Sequence, residues 1–205
     1  RFLRLSAAAA LNFGALFLYI ASAPAFVLEQ LHLGEQGFGW FFIPMISGMV
    51  LGAFVSGRAA GRIDGTRLAG IGFACCGVAM AFNVGYTLWV DVPVLPLAVL
   101  PMPLNAFGIA LAFPIITLFI LDMYPAQRGS ASSLQAFFGL LLNAVIAGVL
   151  SPLISDTSSW LALGAAAFAL GGWLFWWWEL RNCRRKVQVP PDVAAIRDKT
   201  NMAPF

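Results

Sequence analysis

The sequence predicts an all-α integral membrane protein, a bundle of six transmembrane helices, and three observations carry that expectation. The 205 residues are 60% hydrophobic and only 10% charged, with a mean hydropathy of +0.85. A soluble domain keeps about a quarter of its residues charged, because its surface must face water. Six apolar stretches each reach about the 20 residues that cross a hydrocarbon core. Finally, all 12 basic residues fall on alternate breaks between those stretches.

The first span, 5–28, follows Arg1 and Arg4 and carries Asn12, Tyr19 and Ser22 on roughly one face, with Pro24 beyond them. The second, 38–56, holds Gly48, Gly52, Ser56 and, just past it, Ala60 at intervals of four. Such small residues let helix backbones approach in lipid. "GRAAGRIDGTR" at 57–67 ends it. The third, 68–90, repeats the small-residue spacing with Gly77, Ala81 and Gly85. The fourth, 97–121, is expected to be interrupted by Pro101, Pro103 and Pro114, with Asn105 and Gly108 between them. The fifth, 133–154, is entered through Ser132 and places Gln135, Gly139 and Asn143 on one face, at spacings of three, four and four. The sixth, 159–178, ends in a tryptophan cluster. A basic tail, 181–205, with two prolines and mixed charge, is expected to lack packed structure.

Charge gives the orientation. With six spans, one side receives Arg1, Arg4, Arg58, Arg62, Arg67, Arg128 and every cation of the tail, while the loops at 29–37, 91–96 and 155–158 hold none. The positive-inside rule places both ends of the chain in the cytoplasm. Trp40, Trp89 and Trp160 fall at the outer ends of spans and Trp173, Trp176, Trp177 and Trp178 at one inner end, as a headgroup-level belt requires. No methionine precedes "RFLRLSAAAA", so the start is read as a cut. The apolar run behind it is too long for a signal peptide.

Little catalytic chemistry is available. Every carboxylate lies in a loop, at a span end or in the tail, and His32 lies in an outer loop. No carboxylate, histidine or lysine stands at mid-membrane, where such groups mark proton relays and ion paths. Nothing resembles a metal site, an activated nucleophile or a phosphate loop, so neither an enzyme nor a cofactor is expected. Cys75 and Cys76 read as inert buried thiols, and Cys183 as a tail cysteine or a lipidation site. The cations are dispersed between apolar runs, which argues against nucleic acid as a partner. Taken singly, each neutral polar residue reads as glue between helices. Together, the faces of spans one, four and five read as the lining of a cavity, because broken, polar-faced helices border transporter sites. Spans three and six, with Asn83 the main exception, are expected to face lipid.

Three segments carry a family resemblance. "YIASAPAFV" (19–27), "EQGFGWFF" (35–42) and "YPAQRGSASSLQAF" (124–137) are similar to the seventh, eighth and eleventh helices of the bicyclomycin/chloramphenicol-resistance type of drug:proton antiporter, in the major facilitator superfamily. "GRAAGRIDGTR" sits where the family repeats a weak glycine–aspartate–arginine loop. Gly57 and Arg62 are in matching places and Gly61 stands in place of the aspartate. The resemblance covers residues 1 to about 180 and implies the C-terminal half of a twelve-span protein of the bacterial inner membrane. Spans one, two, four and five would border a central cavity. The partners implied are the lipid bilayer, the N-terminal six-span half or a second copy, an amphipathic drug-like substrate, and protons. Hydrogen bonds to cargo would come from Asn12, Tyr19, Asn105, Gln135 and Asn143, and apolar surface from Phe13, Phe107 and Phe138. The alternatives are transport of a sugar or other metabolite, or a six-span assembly protein that transports nothing.

Overall fold

A backbone crossing lipid has no water to bond, so its N–H and C=O groups must satisfy one another. Every apolar stretch does so as a helix. The structure, a computed structural model, describes residues 1–90 and 94–187, and the side chains of residue 35 and of 183–187 lie outside that description. The helices are α1 (Phe2–Ala21), α2 (Phe38–Ala59), α3 (Gly65–Trp89), α4 (Pro101–Met123), α5 (Arg128–Val145), α6 (Ser151–Ile154) and α7 (Ser158–Val187). A π-helical stretch, Ala25–Gln30, follows α1, and another, Ile146–Leu150, joins α5 to α6. Six segments are long and apolar enough to cross a membrane, with α5, the π stretch and α6 making one of them.

Local chemistry sets the boundaries. α1 ends at Ser22, ahead of Pro24, which has no N–H to continue the ladder. Gly61 closes the turn after α2 with φ of +77°, a left-handed conformation natural to glycine. Three residues later Asp64 caps α3 by accepting from the Arg67 amide at 3.2 Å. The glycine in the aspartate's place thus makes a turn, and Gly57 and Arg62 beside it are exposed.

Pro101 and Pro103 do not interrupt the fourth span. They open α4 within its first turn, where the amide they lack has no helical partner anyway. Pro114 does lie inside α4, and so does Pro44 inside α2. α7 continues to Val187, so the first residues of the basic tail extend the helix, while 188–205 lie outside the described residues, as do 91–93 of an outer loop.

The most extensive packing joins α3 to α4, α1 to α7 and α2 to α4. Each of these crossings rests on glycine. A Cβ on Gly72 would stand 2.5 Å from the Gly108 carbonyl oxygen, and one on Gly172 2.9 Å from the Asn12 amide. A Cβ on Gly52 would meet the Phe107 carbonyl at 2.6 Å, and Gly48 lies directly against Pro103. Gly77 and Gly85, in contrast, have nothing within 4 Å. The small-residue spacing of the third span therefore marks its outer face, and Gly72, outside that spacing, makes the contact.

Nor do α3 and α7 simply face lipid. The most apolar windows of α3 and α7 are 44% and 33% buried, against 22% for α2 and 11% for the α5 span. α3 turns one stripe, Leu68, Gly72, Cys76, Ala79 and Asn83, inward and leaves Ile71, Val78 and Phe82 exposed. Asn83 is part of the core: its Nδ2 donates to the Tyr19 hydroxyl at 2.7 Å, and both residues are buried.

Contacts between helix ends give the antiparallel order. Phe2 meets Tyr124, Trp176 stacks on both Phe73 and Phe119, and Arg4 pairs with Glu179 at 3.0 Å. The starts of α1 and α3 and the ends of α4 and α7 therefore share one end of the bundle, the end that carries Arg1, Arg4, Arg67 and Arg181. At the other end, Ser22 and Ser151 share a hydroxyl hydrogen bond of 2.7 Å, and Gln30 Nε2 donates to the Ser155 carbonyl at 2.6 Å.

Tyr19→Phe is expected to cost about 1 kcal/mol, the scale of interhelical hydrogen bonds in membrane proteins, by stranding the Asn83 amide. Thermal unfolding in detergent checks this in a cycle with Asn83→Ala. Full additivity of the two changes would mean that the pair contributes nothing.

Candidate functional site

The Ser6–Phe13 face of α1 and the Ser132–Asn143 face of α5 do not close on each other. Between them, α2 and α4 bound a cavity of about 530 Å³. α1 contributes Ser6, Ala9, Ala10 and Phe13, and α2 contributes Met49 and Ala53. α4 presents Ile109, Ala110, Phe113, Pro114 and Thr117. α5 presents Ser132, Gln135, Ala136, Gly139, Leu140 and Asn143. The wall is apolar apart from hydroxyls and amides, and none of these residues is ionisable.

Two devices set its polar features. Pro114 has no N–H to offer the Ala110 carbonyl, so the helix backbone is under-bonded where it passes the cavity. One turn on, Thr117 donates its hydroxyl back to the Phe113 carbonyl at 3.0 Å and accepts from Gln135 Nε2 at 3.0 Å, tying α5 to α4. Gln135 Oε1, Asn143 Oδ1 and Ser6 Oγ are buried with no hydrogen-bond partner among the described residues. Buried polar atoms are normally satisfied. Unsatisfied ones around a cavity suit groups that enter it. Phe13 and Phe113, with ring centroids 6.2 Å apart, supply an aromatic wall.

The residues singled out in the sequence divide accordingly. Phe13, Pro114, Gln135 and Asn143 border the cavity. Asn12 and Tyr19 do not, because an α-helix turns about 100° per residue. Their common face is about 100° round from that of Ser6 and Phe13, and it is buried. Asn12 lies against Cys76, and Tyr19 bonds Asn83. Asn105 is fully buried at the α3–α4 contact, where its carbonyl accepts from Cys76 Sγ at 3.5 Å. Phe107 packs on the core of Leu5, Leu68 and Leu111, and Phe138 turns into a separate groove. Pro24 is exposed beyond α1, and Pro101 and Pro103 stand at the start of α4.

Sequence reasoning passed over Ser6, Met49, Ala53, Phe113 and Thr117. Ser6, Ala9, Ala10 and Phe13 do follow a helical face, but small apolar residues at that spacing read equally well as packing. No group of histidine, cysteine, aspartate and glutamate among the described residues could hold a metal ion.

Six membrane-length helices around a neutral, mostly apolar cavity define a polytopic membrane protein. The family model of the Major Facilitator Superfamily matches residues 5–201. The chain belongs to that superfamily, a family of transporters. No curated protein and no solved structure matches it.

Proposed function

We propose that the chain is the C-terminal half of a proton-coupled multidrug efflux transporter, and that its cavity is this half's share of the cargo site. One observation carries the reading: four helices surround an apolar wall punctuated by a few neutral hydrogen-bonding groups. Such a wall holds varied amphipathic molecules by apolar contact, with few fixed polar demands. A sugar site would present many more amides and hydroxyls, and the tryptophans here stand near the span ends instead. Efflux and proton coupling rest on the resemblance of the 19–27, 35–42 and 124–137 segments to drug:proton antiporters. The wall offers no group that titrates, so the proton would be carried by the other half. Alternating access follows as the rocking of two six-helix lobes about a mid-membrane site. In this reading the lobe sits in the bacterial inner membrane with its cationic end in the cytoplasm, and its partner is an N-terminal half or a second copy.

Joined to its complementary half in a pump-deficient strain, the protein is expected to raise tolerance to lipophilic cations or phenicols. Unchanged tolerance with confirmed membrane expression would contradict export. Gln135→Ala, which removes the bond to Thr117, is expected to shift relative tolerance among drugs severalfold while the protein still inserts and folds. Loss of folding in that variant would instead make Gln135 structural.

A further inference from the structure

At the cationic end of the bundle a second groove, of about 400 Å³, opens between α1, α5 and α7. Its floor is a strip of α1, with Leu3, Ala7, Ala10 and Leu11, and its flanks are Phe138 and Leu142 of α5 and Phe175 of α7. From Leu3 to Leu11 it runs about 12 Å along the helix at 1.5 Å per residue. It therefore lies parallel to the acyl chains of a surrounding bilayer.

The head of the groove is charged. Arg4, which lines it, gives two guanidinium nitrogens to Glu179 Oε2, each at 3.0 Å, and Arg1 reaches Oε1 of the same carboxylate at 2.6 Å. Two guanidiniums thus share one buried carboxylate, and positive charge is in excess. Farther round α7 at the same end of the bundle, Arg181 is stacked 3.4 Å over the Trp177 ring. In the sequence Arg184, Arg185 and Lys186 follow, with no acid before Asp192. Trp178, over which Arg4 lies at 5.3 Å, is half exposed at the same level. Tryptophan with arginine at a helix end marks the headgroup layer.

We propose that this groove seats an anionic phospholipid, with one acyl chain along α1 between Phe138 and Phe175 and its phosphate against the Arg1–Arg4 pair. An apolar slot closed at the membrane surface by excess positive charge complements that molecule. A zwitterionic lipid matches the slot but not the charge. The first cavity does not offer this combination, since its wall is neutral. Ser6 and Ala10 line both cavities, so the seated chain adjoins the cargo cavity along one edge of α1.

The test titrates the purified full protein with phosphatidylglycerol or phosphatidylcholine and counts retained lipids by native mass spectrometry. One phosphatidylglycerol is expected to be held about fivefold more tightly than phosphatidylcholine, the contribution of one uncompensated cation at an anionic surface. Ala7→Trp, which fills the groove without touching charge, and Arg4→Gln are each expected to abolish the preference. Equal retention of the two lipids overturns the proposal. So does a preference that survives Ala7→Trp, because diffuse attraction to the basic tail would then explain it. Should a variant fail to fold, acyl-brominated lipids decide with the unaltered protein. Brominated phosphatidylglycerol must quench tryptophan fluorescence in a step that saturates at one lipid per protein and that brominated phosphatidylcholine does not show, and equal or non-saturating quenching overturns the proposal.

Discussion

Replacing Gly108 with leucine is expected to force α3 away from α4 and to prevent the bundle from folding. A Cβ at this position would lie 2.5 Å from the Gly72 carbonyl oxygen, 2.7 Å from Cys76 Sγ and 3.0 Å from the Cys76 amide nitrogen. Two of these are backbone atoms of a facing helix, so no rotamer change relieves them. Overpacking a core costs roughly 1–3 kcal/mol where side chains can shift. Here whole helices must part, and about 3 kcal/mol or more is expected. The protein should aggregate on extraction, or unfold at a markedly lower temperature in detergent. Gly77→Leu, on the open face of α3, is the matched control and should behave like the parent protein. Normal stability of the Gly108 variant would mean that α3 and α4 do not cross at these glycines.

Replacing Gly139 with tryptophan is expected to have the opposite signature, a folded protein that no longer transports. Gly139 lies on α5 at the cavity wall, and a Cβ there meets nothing within 4 Å. The indole can therefore be accommodated without moving a helix, but only by occupying the space proposed for cargo. Tolerance conferred on a pump-deficient strain should fall to that of the empty strain, with unfolding temperature and membrane abundance retained. Full transport in this variant would place the cargo path elsewhere.

The spans were legible because crossing a bilayer depends on apolarity summed over about 20 residues, a quantity that lies along the chain. Residues 38–56 became Phe38–Ala59 and 68–90 became Gly65–Trp89 on that basis alone. Which side of a helix does what was far less legible. Asn12 and Phe13 are neighbours in sequence, yet one turns into the core and the other borders the cavity. Both residues fit a lining read from the sequence, and only the rotation of α1 separates them. Tyr19 needed a partner 64 positions away to be recognised as a core hydrogen bond, and no local spacing points to Asn83. The prolines show the same limit. Pro101, Pro103 and Pro114 look alike in the sequence, but the first two start a helix and only the third lies inside one. Glycine spacing misled for a related reason: Gly77 and Gly85 repeat at a helical interval on a face that touches nothing, whereas Gly72 and Gly108 mate across two helices.

The proposed transport requires that cargo sit in the cavity between α1, α2, α4 and α5. The direct measurement places a single cysteine at Ala136, on the cavity wall, in the full transporter with Cys75, Cys76 and Cys183 replaced, and follows its reaction with a membrane-impermeant maleimide. The cysteine is expected to react, and a transported lipophilic cation to slow the reaction in proportion to its occupancy. A reaction rate unchanged by saturating cargo, in protein that still transports, would contradict that location of the cargo.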